Sequence, residues 1–239
     1  MSLKKKNKRA RGVEKENKFD EILNIAKDLY VLKGKVGMRE LARKLGMSEA
    51  NLYNYVESRR ELWIAIRQKC LSEYQDEFND LRNQYEKEKW SFIDFCLKWI
   101  EKYLEFASID YPRFQIMQFI PAPPHSVDKE GTIKDPGPYE KKYRPFRFIE
   151  QGVETFLKVA QDHNIKIKDP VALFYYIYSI CVGVAKAESD LRKSQKAMNN
   201  HKAEMIYEPV LLKKDVLNPQ EFREFVLKEI KERLEKEIS

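Results

Sequence analysis

Apolar residues recur along this chain at helical spacing. Met38, Leu41, Ala42 and Leu45 fall at i, i+3, i+4 and i+7, the pattern of one buried helix face. Gly46 follows directly, and glycine just past a helix end takes the left-handed conformation that closes it. Ser48 is then placed to cap a second, short helix predicted over 49–56, with Leu52 and Val56 on its inner face. Ser58 and Glu61 have the spacing of a capping box, which opens a further helix running to about residue 82. Leu62, Ala65, Ile66, Leu71, Tyr74 and Phe78 form its apolar side, and it holds no internal glycine or proline. Ahead of the pair, Phe19, Ile22, Ile25, Ala26, Leu29 and Leu32 predict a helix over 17–33 that stops at Gly34.

Beyond residue 90 the pattern stays helical. Over 91–106, Ser91, Asp94, Lys98, Glu101 and Glu105 form a narrow polar stripe, and nearly everything else is apolar or aromatic. An arc that broad is buried on most sides. A short aromatic helix is predicted over 111–120, then a loop over 121–138 that holds five of the ten prolines. Helix is predicted again over 139–163, with Ile149, Val153, Phe156, Leu157 and Ala160 inward and Pro145 starting or kinking it. Asp169-Pro170 and Asn218-Pro219 are cap-then-proline helix starts. Residues 171–185 run without a charge; these fifteen are fewer than the roughly 20 a membrane span needs. A helix apolar all round must be buried all round, here against the core on one side and a second subunit on the other. Residues 188–217 read as polar and irregular, and Phe222, Val226, Ile230 and Leu234 predict a last amphipathic helix. With only 8 glycines and few alternating runs, the expected fold class is all-α.

Two helices joined by a short glycine-containing turn form a helix-turn-helix, whose second helix enters the DNA major groove. Asn51, Tyr53, Asn54 and Tyr55 crowd its predicted outer surface, where solvation alone would select Lys and Glu. Asparagine pairs bidentately with adenine, and tyrosine hydroxyls bond phosphates. Ser48, Glu49 and Ala50 lead the reading helix, while Arg39, Lys44 and Arg59 are placed for backbone phosphates. Residues 22–62 resemble the N-terminal domain of TetR-type transcriptional repressors. The resemblance is carried by Ile22, Ala26, Leu29-Tyr30, Gly34, then Met38-Arg39-Glu40-Leu41-Ala42, Leu45-Gly46-Met47-Ser48, Leu52-Tyr53, Tyr55-Val56, Ser58-Arg59 and Leu62. It departs from the family at Gly37, Ala50, Asn51 and Val56. The resemblance implies a homodimer formed through the last two body helices, a ligand-binding body, and derepression when a ligand shifts the long fourth helix.

Charge adds to the picture. Of the net +7, six charges lie in residues 1–18, where eight Lys or Arg face Glu14 and Glu16. A basic arm ahead of a helix-turn-helix points to double-stranded DNA as partner. The expected division is a basic flexible arm over 1–17, a DNA-binding domain over 18–63, and a ligand-binding and dimerisation domain over 64–239. Trp99 and Tyr103, with Phe114, Phe148, Phe174 and Tyr178, are the candidate lining of a cavity for a small hydrophobic or aromatic ligand. Cys70, Cys96 and Cys181 lack metal or redox spacing and read as buried apolar residues, and His125, His163 and His201 are scattered. No nucleophile–base constellation, metal-ligand spacing or phosphate loop is visible, so no catalytic residue, metal or cofactor is expected. No signal peptide is legible, which suggests a cytoplasmic protein with no membrane partner. The alternative is a DNA-binding regulator whose body recruits a partner and takes no small molecule.

Overall fold

The structure is a computed structural model of the chain and describes residues 3–125, 127, 129–133, 135–199 and 218–238. These residues are all-α: α1 Leu3–Lys33, α2 Met38–Lys44, α3 Glu49–Leu52, α4 Arg59–Glu88, α5 Phe92–Ile109, α6 Tyr111–Gln118, α7 Pro138–Lys142, α8 Arg147–Asp162, α9 Pro170–Asn199 and α10 Pro219–Ile238. An isolated antiparallel bridge joins Val127 to Ile133. The chain divides into two compact units, one of Met1–Glu73 with Pro112–Pro145, the other of Tyr74–Tyr111 with Phe146–Ser239. The boundary thus falls inside α4 and departs from the expected one, because 112–145 belongs with the helix-turn-helix.

In the first unit, Ile22, Ala26, Leu29, Leu41, Leu52 and Leu62 are buried together. Gly34 and Gly46 close α1 and α2 at φ +67° and +64°, which a side chain would resist. The Ser48 hydroxyl accepts the Asn51 amide at 3.1 Å, the predicted cap of α3. That helix is shorter than predicted. After Leu52 the amides of Asn54 and Tyr55 turn to carbonyls three residues back, so the backbone tightens before Val56 is buried. Helix α1 begins at Leu3 rather than near residue 17. Lys, Arg, Ala and Glu dominate this stretch, and all propagate a helix well.

The segment 112–145 closes over the start of α4 through buried polar contacts. The Ser58 hydroxyl accepts the Glu61 amide at 3.0 Å, as a capping box requires. The Glu61 carboxylate, itself buried, accepts the amides of Glu57 at 2.6 Å and Tyr139 at 3.0 Å. Arg60 pairs with Glu140 at 2.6 Å and donates to the Pro123 carbonyl at 2.8 Å. Arg67 lies over the rings of both Trp63 and Tyr143 and donates to Tyr143 Oη at 2.9 Å and to the Met117 carbonyl.

In the second unit, α5 packs against α8, α9 and α10. Ser91 caps it by accepting the Asp94 amide at 3.1 Å. The predicted 139–163 helix is broken in two, because Pro145 drives the residues before it toward extended backbone (Tyr143 ψ 127°). Phe156 and Ala160 face inward as expected, but Leu157 is 38% exposed. Helix α9 continues through 188–199, expected irregular, since Lys186–Asp190 and Glu188–Arg192 pair one turn apart. Residues 200–217 lie outside the described residues. With that added length, Pro170–Lys193 is long and apolar enough, by length and composition, to cross a membrane. A core helix passes the same test, and Leu173, Phe174, Ile177, Cys181, Val184 and Ala185 are buried here. On its opposite face Val171, Tyr175 and Tyr176 are exposed. Glu188 is buried between Arg192 and Arg223, tying α9 to α10.

Candidate nucleic-acid interface and candidate ligand cavity

The short α3 is held by its cap and by Leu52, and it turns its other residues outward. Ser48, Ala50, Asn51, Tyr53 and Asn54 are exposed, with the Asn54 amide donating to Asn51 Oδ1 at 3.3 Å. Tyr55 departs from this set: it is half-buried, its ring parallel to Phe19 at 6.4 Å, with Lys15 Nζ 5.7 Å from its centroid. Arg39 has 94% of its side chain exposed and reaches Glu49 at 3.7 Å, so the acidic lead residue of α3 is partly neutralised by a candidate phosphate contact. Lys44 and Arg59 are exposed as expected, and the Arg59 carbonyl accepts the buried Tyr30 hydroxyl at 3.4 Å. Sequence reading passed over Lys35 and Arg43, which are also exposed. The signal was present: Arg43 shares the last turn of α2 with Lys44, where cations favour the helix dipole. Gly37 caps α2 without a side-chain bond, so the departure at this position leaves one helix end to its backbone alone.

The second unit holds a cavity of about 410 Å³ lined by α4, α5, α8 and α9. Trp99, Phe148, Phe174 and Tyr178 are on its wall. Tyr103 stands one layer back, fully buried, stacked on Trp99 at 5.7 Å and edge-on to Tyr178 at 6.1 Å. Phe114 is elsewhere, buried in the first unit against Phe119 at 5.7 Å. Sequence reading missed the α4 side of the wall. Tyr74, Gln75, Phe78, Asn79 and Arg82 recur there at one-turn spacing, and only Tyr74 and Phe78 had been assigned to the apolar face. Gly152 leaves room for the Phe174 ring, whose Cζ would lie 2.6 Å from a Cβ at that position.

Burial sets the protonation of this region. It pushes the Tyr74 and Tyr103 hydroxyls well above the usual phenol range, and the Cys181 thiol up to about 12. These groups stay neutral and the thiol stays unreactive. Among the described residues no cluster of His, Cys, Asp and Glu could hold a metal ion.

No protein-family profile matches the chain, and no curated protein does. Solved structures do match. One is a possible TetR family transcriptional regulator from Streptomyces coelicolor A3(2), 17% identical, covering 91% of this chain and 98% of that one at a TM-score of 0.51. The fold is TetR-type. At that identity the likeness is one of backbone architecture. It extends the resemblance read from residues 22–62 to most of the chain.

Proposed function

We propose that this protein is a ligand-responsive transcriptional repressor that binds DNA as a homodimer and is released by a small hydrophobic or aromatic ligand. The observation that carries the reading is the exposed, uncharged Asn51–Tyr53–Asn54 surface on a capped helix flanked by exposed cations. Amide side chains read base edges, and the cations Arg39, Lys44 and Arg59 neutralise phosphates. The exposed faces of α9 (Val171, Tyr175, Tyr176) and α10 (Phe225) supply the apolar area for pairing. Two-fold pairing then implies a pseudo-palindromic site with half-sites about 34 Å apart, or a multiple of that.

The cavity supports ligand control. Helix α4 carries Arg59 in its first turn and Tyr74, Gln75, Phe78, Asn79 and Arg82 on the cavity wall. A ligand that fits the cavity better when α4 has moved lowers DNA affinity by its differential binding. A coupling of roughly 1–3 kcal/mol loosens DNA by about five- to 150-fold. In this reading α9 is a core and pairing helix, not a membrane span, and the protein is cytoplasmic.

The test begins with selection of an operator from a random duplex pool by the full chain. Asn51→Ala is expected to lower affinity for the selected operator by about five- to 100-fold while leaving random duplex nearly unchanged, because one bidentate base contact contributes roughly 1–3 kcal/mol of discrimination. Equal losses on both duplexes would refute base reading by Asn51. Failure to recover any operator would refute the whole proposal.

A further inference from the structure

The cavity wall is divided between rings and polar groups. Phe78, Trp99 and Phe174 stand together on the apolar side, with Trp99 5.8 Å from Phe78 and 5.9 Å from Phe174, ring centroid to centroid. The polar side is unevenly committed. Gln75 and Gln151 bond to each other through their side chains, and Thr155 donates to the Gln151 carbonyl at 2.9 Å. Glu154, the acidic residue of the wall, has a cation of its own, since Arg147 donates to it at 3.2 Å. Arg82, the one cation on this wall among the described residues, has no equivalent. Its side chain is half-exposed and meets Glu86 at 3.7 Å, beyond hydrogen-bond reach. Asn79 is exposed beside it and makes no side-chain hydrogen bond among the described residues.

Asn79 and Arg82 are three residues apart on α4 and so share one face, and Phe78 precedes Arg82 by one turn, about 5.4 Å. A ring resting on Phe78 and Trp99 therefore lies within the length of a small aromatic acid from the guanidinium. We propose that the ligand of this cavity is an aromatic carboxylate, its rings on Phe78 and Trp99 and its carboxylate held by Arg82 and Asn79. This rests on the reading of the cavity as a ligand site and names the class of ligand. The guanidinium fork matches a carboxylate with two parallel hydrogen bonds, and the Asn79 amide supplies a further donor. Because Asn79 and Arg82 are exposed, the carboxylate keeps part of its hydration and escapes the cost of full burial. A cationic ligand would find Glu154 already paired and would meet Arg82 as a like charge. A volume of about 410 Å³ lies in the range that takes drug-sized molecules.

Three naphthalenes test the inference, because 2-naphthoate, 2-naphthamide and 2-naphthylmethylammonium share the rings and carry a negative, a neutral and a positive head. Titrated calorimetrically into the full chain at low salt, the naphthoate is expected to bind about two- to tenfold more tightly than the naphthamide, as a partly exposed, charge-assisted pair allows, and the ammonium most weakly. Added salt should shrink the naphthoate preference. Arg82→Gln is expected to erase it while leaving naphthamide affinity nearly unchanged, whereas a merely structural Arg82 would weaken both compounds alike. Equal binding of naphthoate and naphthamide, tightest binding of the ammonium, or a naphthoate preference that survives Arg82→Gln would overturn the carboxylate assignment and leave the ligand reading standing. Binding of none of the three would defeat the ligand reading and this inference with it.

Discussion

Gly152 sets how much room the Phe174 ring has in the second unit. A methyl group there would meet Phe174 Cζ at 2.6 Å, closer than packed carbons approach, so the ring must turn into the cavity or the helices must part. Gly152→Ala is expected to cost roughly 1–3 kcal/mol in urea unfolding, the usual cost of overpacking. An unchanged urea midpoint would show that the Phe174 ring yields without cost. A second residue-scale effect is set by titration. Burial raises Tyr30 from 10.0 to about 12, so the folded protein holds that proton more tightly than the unfolded chain. The associated stability is complete below pH 10 and is lost as pH rises through 12. Tyr74 and Tyr103 shift in the same direction. The urea midpoint should therefore fall progressively above pH 10, and Tyr30→Phe should flatten part of that fall. The caps and glycine closures at this scale were legible in advance, because Ser48 and Gly46 act on atoms within a few residues of themselves. The second amide that the Glu61 carboxylate accepts was not, since Tyr139 is far along the chain.

At the scale of elements, 112–145 and the start of α4 behave as one piece. Gly137 sits directly against the Glu61 carboxylate, where a Cβ has no space. Gly137→Ala should displace that carboxylate from the amides of Glu57 and Tyr139 and cost about 1–3 kcal/mol in chemical denaturation. The same segment reaches toward the reading surface. Tyr139 stacks on Phe19 at 5.3 Å, and Phe19 faces Tyr55. Tyr139→Ala should blunt operator discrimination without altering helix content by circular dichroism; intact discrimination would make the stack purely structural. The basic stretch of α1 carries its own prediction. Removing residues 1–11 deletes six Lys or Arg. If they touch DNA, the salt dependence of binding should flatten by about 0.9 in log–log slope for each phosphate no longer neutralised, and an unchanged slope would separate the stretch from DNA.

For the whole molecule, the proposed pairing surface is the exposed side of α9 and α10. Tyr176 is 51% exposed and Phe225 60% exposed. Replacing both with glutamate should leave helix content intact, yield monomers by light scattering, and abolish tight operator binding. A variant that stays dimeric would move the pairing surface elsewhere. Periodicity already marked 171–185 as apolar on every side. What it could not supply was which residues the chain's own core would cover.

The amino-acid sequence by itself determined the all-α fold class, the helix-turn-helix with its caps, the start signals of α9 and α10 and the aromatic character of α5. Each is written in short-range spacing, where a side chain acts on its own helix. Tertiary structure alone decided that 112–145 joins the first unit, that Tyr55 leans on Phe19, that Phe114 is buried in the first unit, and that Tyr74 is among the residues lining the second unit's cavity. Those outcomes depend on which distant segments meet, and local periodicity carries no information about the partner across a packed interface.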